Sequence, residues 1–216
     1  MADGEDRRFG ELPLPQTAAA AAAIRRLTGM LLSLEAPHPT VEAMIGQFER
    51  WEDELAAALP SDPRPRMATD ADGGRLYLQH AFDLGAYNPC FPEYRFAETG
   101  LEKAWGTVTF PVVFEGPPGL VHGGFLGVFF DCVIQHQSCV AGIAGKTRSL
   151  TVDYRRPTPL DTELRFDIER AYDDSGITAT ARLTLAGELL CTGVADTVAL
   201  SPERLAANRF ARRREG

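Results

Sequence analysis

EGPPGLVHGGFLGVFFDCVIQHQSCVAGIAG, residues 115–145, decides how the rest of the chain is read. Its Gly and Pro residues cluster ahead of Gly123, and from 125 to 140 apolar side chains occupy nearly every side of a helix. A helix of that texture must be buried on most of its surface. Outward from it the period changes to that of strands. Runs at 76–84 and 106–114 precede the helix; runs at 148–154, 163–171, 177–186 and 189–200 follow it, with turn residues at 157–161, 173–176 and Gly187. Residues 88–96, NPCFPEYRF, carry two prolines and read as an ordered loop. The pattern predicts strand, strand, buried helix and then a four-strand antiparallel meander. That is an α+β chain in which one curved antiparallel sheet wraps a central helix, because one sheet face alone can bury it.

Upstream the texture is helical. Thr17 is placed to cap a helix starting in the alanine run 18–23, with Ile24, Leu27, Leu31 and Leu34 at helical spacing. Pro37 and Pro39 break it, and Thr40 is placed to cap a second helix carrying Val41, Met44, Ile45, Phe48, Trp51, Leu55 and Leu59. Residues 60–74, PSDPRPRMATDADGG, have linker composition. The predicted division is therefore 1–70, an arm with a two-helix extension, and 71–216, the sheet-and-helix domain.

The 216 residues carry 22 basic and 30 acidic side chains, a net charge of −8. That balance argues against an electrostatic grip on nucleic acid, which needs a clustered basic face. No apolar run reaches the eighteen or so residues of a membrane span. Arg25 and Arg26 superficially resemble a twin-arginine export signal, but an alanine run precedes them and Glu35 ends the apolar stretch that follows. Cys90, Cys132, Cys139 and Cys191 are widely spaced, with neither a CxxC pair nor zinc-ligand spacing. The expectation is a cytoplasmic protein with reduced thiols and no metal.

Asp131 most needs explanation. It interrupts FLGVFFDCVI in mid-helix, where it cannot cap, and buried carboxylates rarely lack a partner. Gly123 and Gly124 open the same helix, whose N-terminus offers free N–H groups and positive potential to a carbonyl oxygen that becomes negative during attack. Gly123 and Asp131 are eight residues apart, roughly 12 Å at ~1.5 Å rise per residue. They cannot flank one small carbonyl from the same chain. If both act on one substrate, the acid comes from a second, antiparallel copy, which predicts a two-fold dimer with composite sites.

GPPGLVHGGFLGVFFDCV followed by TRSLTVDYRRPTPLDTELRFDIE resembles the hotdog-fold thioesterases of the phenylacetic-acid-degradation and 4-hydroxybenzoyl-CoA type. The likeness covers about residues 76–200 and rests on HGG at the helix entrance, an acid nine residues after the His, and a strand ending in Tyr-x-x-Pro: here His122, Asp131, and Tyr154 with Pro157. Asn88 and Pro89 resemble one branch of the family. Where some relatives carry Asn or Gln six residues before the His, this chain has Gly116.

The resemblance implies an acyl-CoA thioesterase of hotdog fold, a homodimer or tetramer, with the CoA thioester as substrate and no cofactor. It implies that Gly123 N–H polarises the thioester carbonyl, that Asp131 is nucleophile or general base, and that His122 shapes the loop or orients a neighbour. Gly124, Asn88, Gln135, Thr147 and Arg148 are the implied substrate-binding residues, with Lys146, Arg155 and Arg156 also placed for CoA phosphates. The acyl group is expected along the helix, against Phe125, Phe129 and Phe91. The alternative is a non-catalytic binder of acyl-CoA or a small apolar ligand on the same fold.

Overall fold

The computed structural model describes residues 11–12, 15–59, 61, 76–77, 84–141, 145–173 and 176–199. The expected division at residue 70 falls outside them. Helices α1 (Pro15–Leu32) and α2 (Pro39–Ala58) lead; α3 (Gly123–Val140) is the central helix. Strands β1 (Glu11–Leu12) and β2 (Leu76–Tyr77) pair with each other. Strands β3 (Tyr94–Thr99), β4 (Lys103–Thr109), β5 (Gly145–Tyr154), β6 (Glu163–Asp173), β7 (Gly176–Leu185) and β8 (Glu188–Ala199) form one curved antiparallel sheet in the order β3-β4-β6-β7-β8-β5.

The expected meander is corrected at its first strand. β5 pairs with β8 rather than β6, so the chain leaving β5 crosses to the far side of β7 and β8 before β6 begins. β5 is thereby an edge strand lying along α3. Two more expectations shift. Residues 88–96 are a loop only as far as Glu93, and Tyr94 opens β3. The run at 106–114 is strand only to Thr109: Pro111 has no N–H to give a ladder, and Val112–Phe114 form a single 3-10 turn instead.

The core is aromatic. Phe110, Phe114, Phe129, Phe130 and Phe166 are all essentially inaccessible, and rings of Phe110, Phe166 and Tyr94 meet Phe129 edge-on at 5.4–6.2 Å. Burial of each such ring stabilises by about 1.5–3 kcal/mol. Gly193 on β8 makes room for one of them, since a Cβ there would lie 2.5 Å from the Phe130 ring. Phe129, expected beside the acyl group, is instead part of this closed core.

The extension differs most from expectation. α1 begins at Pro15, which puts Thr17 inside its first turn rather than ahead of it. It docks through Ala21 and Arg25, both buried, and through Gly29, where a Cβ would meet Val112 Cγ1 at 3.3 Å. Those positions are four apart, one line along the helix. Ile24, on the expected apolar face, is 50% exposed. α2 starts at Pro39, and the cap is His38, whose ring nitrogen accepts from Thr40 N–H at 3.2 Å; Thr40 itself is inside the helix. None of its residues is buried, and Phe48, Trp51 and Leu55 face outward.

Candidate active site

α3 has two sides. Leu126, Phe129, Phe130, Val133 and Ile134 are buried, whereas Gly127, Val128, Asp131 and Gln135 form a half-buried stripe. β5 runs back along the helix and contributes a side chain at each end of the candidate site.

At the deep end is Asp131. The Thr147 hydroxyl on β5 donates to Asp131 Oδ1 at 2.9 Å, and the Gln135 amide donates to that same hydroxyl at 2.7 Å. Gln135 is one helical turn beyond Asp131, so the order in space is amide, hydroxyl, carboxylate. A hydroxyl has one proton to give, and the Gln135 bond forces it toward Asp131. Among the described residues nothing donates to Oδ2. The carboxylate is therefore oriented through one oxygen and available through the other.

At the shallow end is the entrance to α3. His122 is the N-cap: its Nδ1 accepts from Gly124 N–H at 3.0 Å. The His122 carbonyl accepts from Phe125 N–H at 2.9 Å, and the His122 N–H donates to the carbonyl of Phe114 at 2.9 Å. The Tyr154 hydroxyl, at the far end of β5, donates to the Gly123 carbonyl at 2.8 Å. Of the amides in this first turn, only Gly123 N–H has no acceptor among the described residues. It points the helix dipole at whatever lies beyond.

The loop before His122 is tightly built. Gly116 N–H donates to the Leu120 carbonyl at 2.9 Å, Val121 N–H to the Thr158 carbonyl at 2.9 Å, and Gly119 N–H to the Glu115 carboxylate at 2.7 Å. A Cβ at Gly116 would lie 2.8 Å from His122 Cα and 2.9 Å from its Cβ. No side chain fits there while His122 caps α3. A cleft of about 490 Å³ opens at this end, lined by Pro117, Gly123, Gly124, Tyr154, Arg155 and Thr158 among others.

The structure thus brings Asp131, Gln135 and Thr147 into one hydrogen-bonded array, and His122, Gly123 and Gly124 into another two helical turns away. It does not bring His122 to Asp131. Arg148 is the extra residue at a β-bulge between Thr147 and Ser149, and turns to Asp196 of β8 at 3.9 Å, away from the array. Asn88 Oδ1 is engaged within its own loop, accepting from Cys90 N–H at 3.0 Å. Arg155 and Arg156 are exposed and paired with Asp153 and Glu188 at 3.2 and 2.8 Å. Sequence reasoning placed Tyr154 in a motif without a role; its contact with Gly123 leaves no periodic trace in the sequence. A second hollow, about 410 Å³, lies among Thr107, Glu163, Arg165, Asp167 and Thr184 and shares no residue with either array.

Among the described residues no group of three or more His, Cys, Asp or Glu side chains is placed to hold a metal. No described helix is long and apolar enough to cross a membrane.

A single helix against one curved antiparallel sheet defines the hotdog fold of the thioesterase superfamily. One solved structure bears out the fold. A thioesterase superfamily protein of known crystal structure superposes with a TM-score of 0.69 at 25% identity, covering 84% of this chain and 94% of its own. Shorter neighbours include a phenylacetic acid degradation-related protein from Ralstonia eutropha, with 20% identity, a TM-score of 0.44, and coverage of 48% of this chain and 82% of its own. A hypothetical thioesterase protein with coenzyme A from Streptococcus pneumoniae has 17% identity, a TM-score of 0.47, and coverage of 50% and 90%. No model of a known protein family matches the sequence.

Proposed function

We propose that this protein hydrolyses acyl-CoA thioesters to a carboxylic acid and free CoA, without metal or redox cofactor, in sites shared between two antiparallel copies. The observation that carries the reading is the Asp131 carboxylate, held through Oδ1 by Thr147 and open at Oδ2 on a half-buried helix face. An acid with one tethered and one free oxygen suits a general base or a nucleophile. As a base it takes a proton from water while the water oxygen bonds to the thioester carbon; the C–S bond then breaks and the thiolate leaves with that proton. As a nucleophile it forms an anhydride with release of the thiolate, and water then cleaves the anhydride.

The carbonyl oxygen gains negative charge on either route, and Gly123 N–H is the donor that meets it. One such donor contributes about 10²–10³ in kcat where it has been removed from comparable sites. Gly123 and Asp131 of one chain are two helical turns apart, so the reading requires the second copy. The β5 edge and the half-buried stripe of α3 are the faces that a second copy would cover. In this reading Arg155 and Arg156, which line the cleft at Gly123, take up the CoA phosphates in exchange for their surface pairs with Asp153 and Glu188.

The test is thiol release over a panel of aryl, short-chain and long-chain acyl-CoA substrates, with Asp131→Asn run beside the wild type. Turnover in the wild type that drops by at least about two orders of magnitude in the folded variant supports the reading. Equal turnover in both sinks the role of Asp131.

A second reading, non-catalytic binding of an acyl-CoA or small apolar ligand, is favoured by one observation. The close approach of Gly116 to His122 leaves no room for a polar side chain where some relatives have one. Saturable acyl-CoA binding with no thiol release selects it.

A further inference from the structure

Arg25 lies on α1 with only 7% of its surface exposed, and its partners are 60 to 68 residues further along the chain. Its Nη2 donates to the Gly85 carbonyl at 2.6 Å and reaches those of Asn88 and Phe91 at 3.3 Å each. Its Nη1 pairs with Glu93 Oε2 at 3.0 Å. Burying a guanidinium is unfavourable unless its donors find acceptors; here one loop supplies four acceptors to Nη1 and Nη2, while Nε is buried without a partner among the described residues. The loop otherwise rests on the core through Leu84 and Phe91. Its own bonds are local: Tyr87 and Asn88 N–H to the Leu84 carbonyl, Phe91 N–H to the Asn88 carbonyl, Cys90 N–H to Asn88 Oδ1. Among the described residues no backbone hydrogen bond ties residues 85–92 to a strand. Without Arg25, three carbonyls would converge on an empty space.

The same loop packs on the core that α3 helps to build. Leu84 and Phe91 rest half-buried on the core, as do Phe125 and Val128 of α3, which lie between Gly123 and Asp131. An acyl group laid along α3 between the two arrays runs past Phe125 and Val128, and the loop bears on that stretch through the core cluster on which both rest.

We infer that Arg25 is a positioning residue: by fixing residues 84–93 from α1, it sets which acyl groups the site accepts. The inference rests on the acyl-CoA reading above and adds to it that selectivity is governed from the helical extension. It predicts an effect on substrate preference rather than on chemistry, because Arg25 touches neither Asp131 nor Gly123.

The experiment compares full-length wild type, Arg25→Met, Arg25→Lys and Gly85→Ala by amide hydrogen exchange and by kcat and KM over a series of acyl-CoA chain lengths. A Cβ at Gly85 would lie 2.1 Å from the Pro92 carbonyl oxygen, so Gly85→Ala displaces the same loop with α1 untouched. In Arg25→Met the amides of Tyr87, Asn88, Cys90 and Phe91 are expected to exchange roughly ten-fold faster, with β6, β7 and β8 unchanged. The kcat/KM ratio of long to short acyl groups is expected to change by about ten-fold, through KM. Gly85→Ala should shift the ratio the same way, and Arg25→Lys, which keeps the charge and fewer donors, should fall between; it also carries the test should Arg25→Met fail to fold. Unchanged loop exchange in Arg25→Met overturns the inference, as does a loosened loop with wild-type chain-length preference. A wild type that turns over no acyl-CoA removes the functional reading itself, and the acyl part of this inference with it; a wild type that turns over, with preference unaltered in Arg25→Met, removes only the role of Arg25.

Discussion

The Tyr154 hydroxyl and the His122 ring grip the two ends of one peptide group: the Gly123 carbonyl accepts from Tyr154 at 2.8 Å, and the Gly124 N–H of the same peptide donates to His122 at 3.0 Å. The next peptide back is held through the His122 carbonyl by Phe125 N–H. The direction of the free Gly123 N–H is thereby fixed before any substrate arrives, which is what makes such a donor effective. Tyr154→Phe keeps the ring and removes one of the two grips. It is expected to lower kcat by about ten-fold with KM little changed. Tyr154 is 55% exposed, so the melting temperature should barely move. Steady-state kinetics beside a thermal melt checks this, and a kcat loss that merely tracks a loss of stability would contradict it.

Thr147 can be tested without disturbing the acid itself. Thr147→Val is nearly isosteric but leaves Asp131 Oδ1 without its donor and the Gln135 amide without its acceptor. A fall in kcat of about ten- to a hundred-fold is expected, as for loss of orientation at a catalytic base. Thr147→Ser restores the hydroxyl and should return activity to within a few-fold of wild type. Valine and serine variants with equal activity would show that the hydroxyl is only a packing element.

His136 gives the fold a pH dependence of definite sign. It is packed against Tyr94 and Phe96, with the Tyr94 hydroxyl 3.0 Å from Nδ1, and burial lowers its pKa from 6.5 to about 4. The unfolded chain therefore takes up a proton that the folded chain refuses. Stability is fully present above about pH 6.5 and falls as the pH drops toward 4, by on the order of 2 kcal/mol at pH 5. Urea midpoints at pH 7.5 and pH 5 measure it. His136→Asn should be less stable at pH 7.5 yet lose less on acidification, and an equal acid loss in wild type and variant would move the cause elsewhere.

The thiols should divide three to one. Cys132, Cys139 and Cys191 are buried, and burial pushes each up to about 12, with the Asp131 charge adding to the effect at Cys132. Cys90 is exposed in the loop that Arg25 holds. A thiol reagent applied to the native protein near neutral pH should titrate one cysteine rapidly, and the other three only on unfolding. Cys90→Ser should abolish the fast phase; a fast phase that persists would mean a core thiol is reachable.

The central helix and its acid are legible in the sequence because α3 is apolar on nearly every side and Asp131 stands out against it. The strands after α3 are likewise marked by alternation and by turn residues such as Gly187. Other features depend on contacts that alternation does not record. β3 begins two residues after Pro92 and is a short edge strand, so the prolines hid it. The order of β5 in the sheet follows from packing against α3, not from anything local to residues 145–154. The docking line of α1 is Ala21, Arg25 and Gly29, two small residues around a charge, and no hydrophobic pattern selects it over Ile24 and Leu27. What chooses that line is a set of carbonyls 60 to 66 residues downstream. The Gln135, Thr147 and Asp131 array was accessible through family resemblance, whereas the hold of Tyr154 on Gly123 appears only when β5 is laid along the helix.

That long separation has a bearing on how the molecule is made. Arg25 leaves the ribosome roughly 3 to 14 s before Glu93, 68 residues later, at about 5–20 residues per second. Throughout that interval α1 is a nascent segment with its docking line open and nothing to close on, and Val112, which Gly29 meets, arrives later still. Synthesis from the N-terminus thus delivers the fastener before the part it fastens. A circular permutant that emits residues 84–141 ahead of α1 would reverse the order, offering the helix a finished surface at the moment it appears.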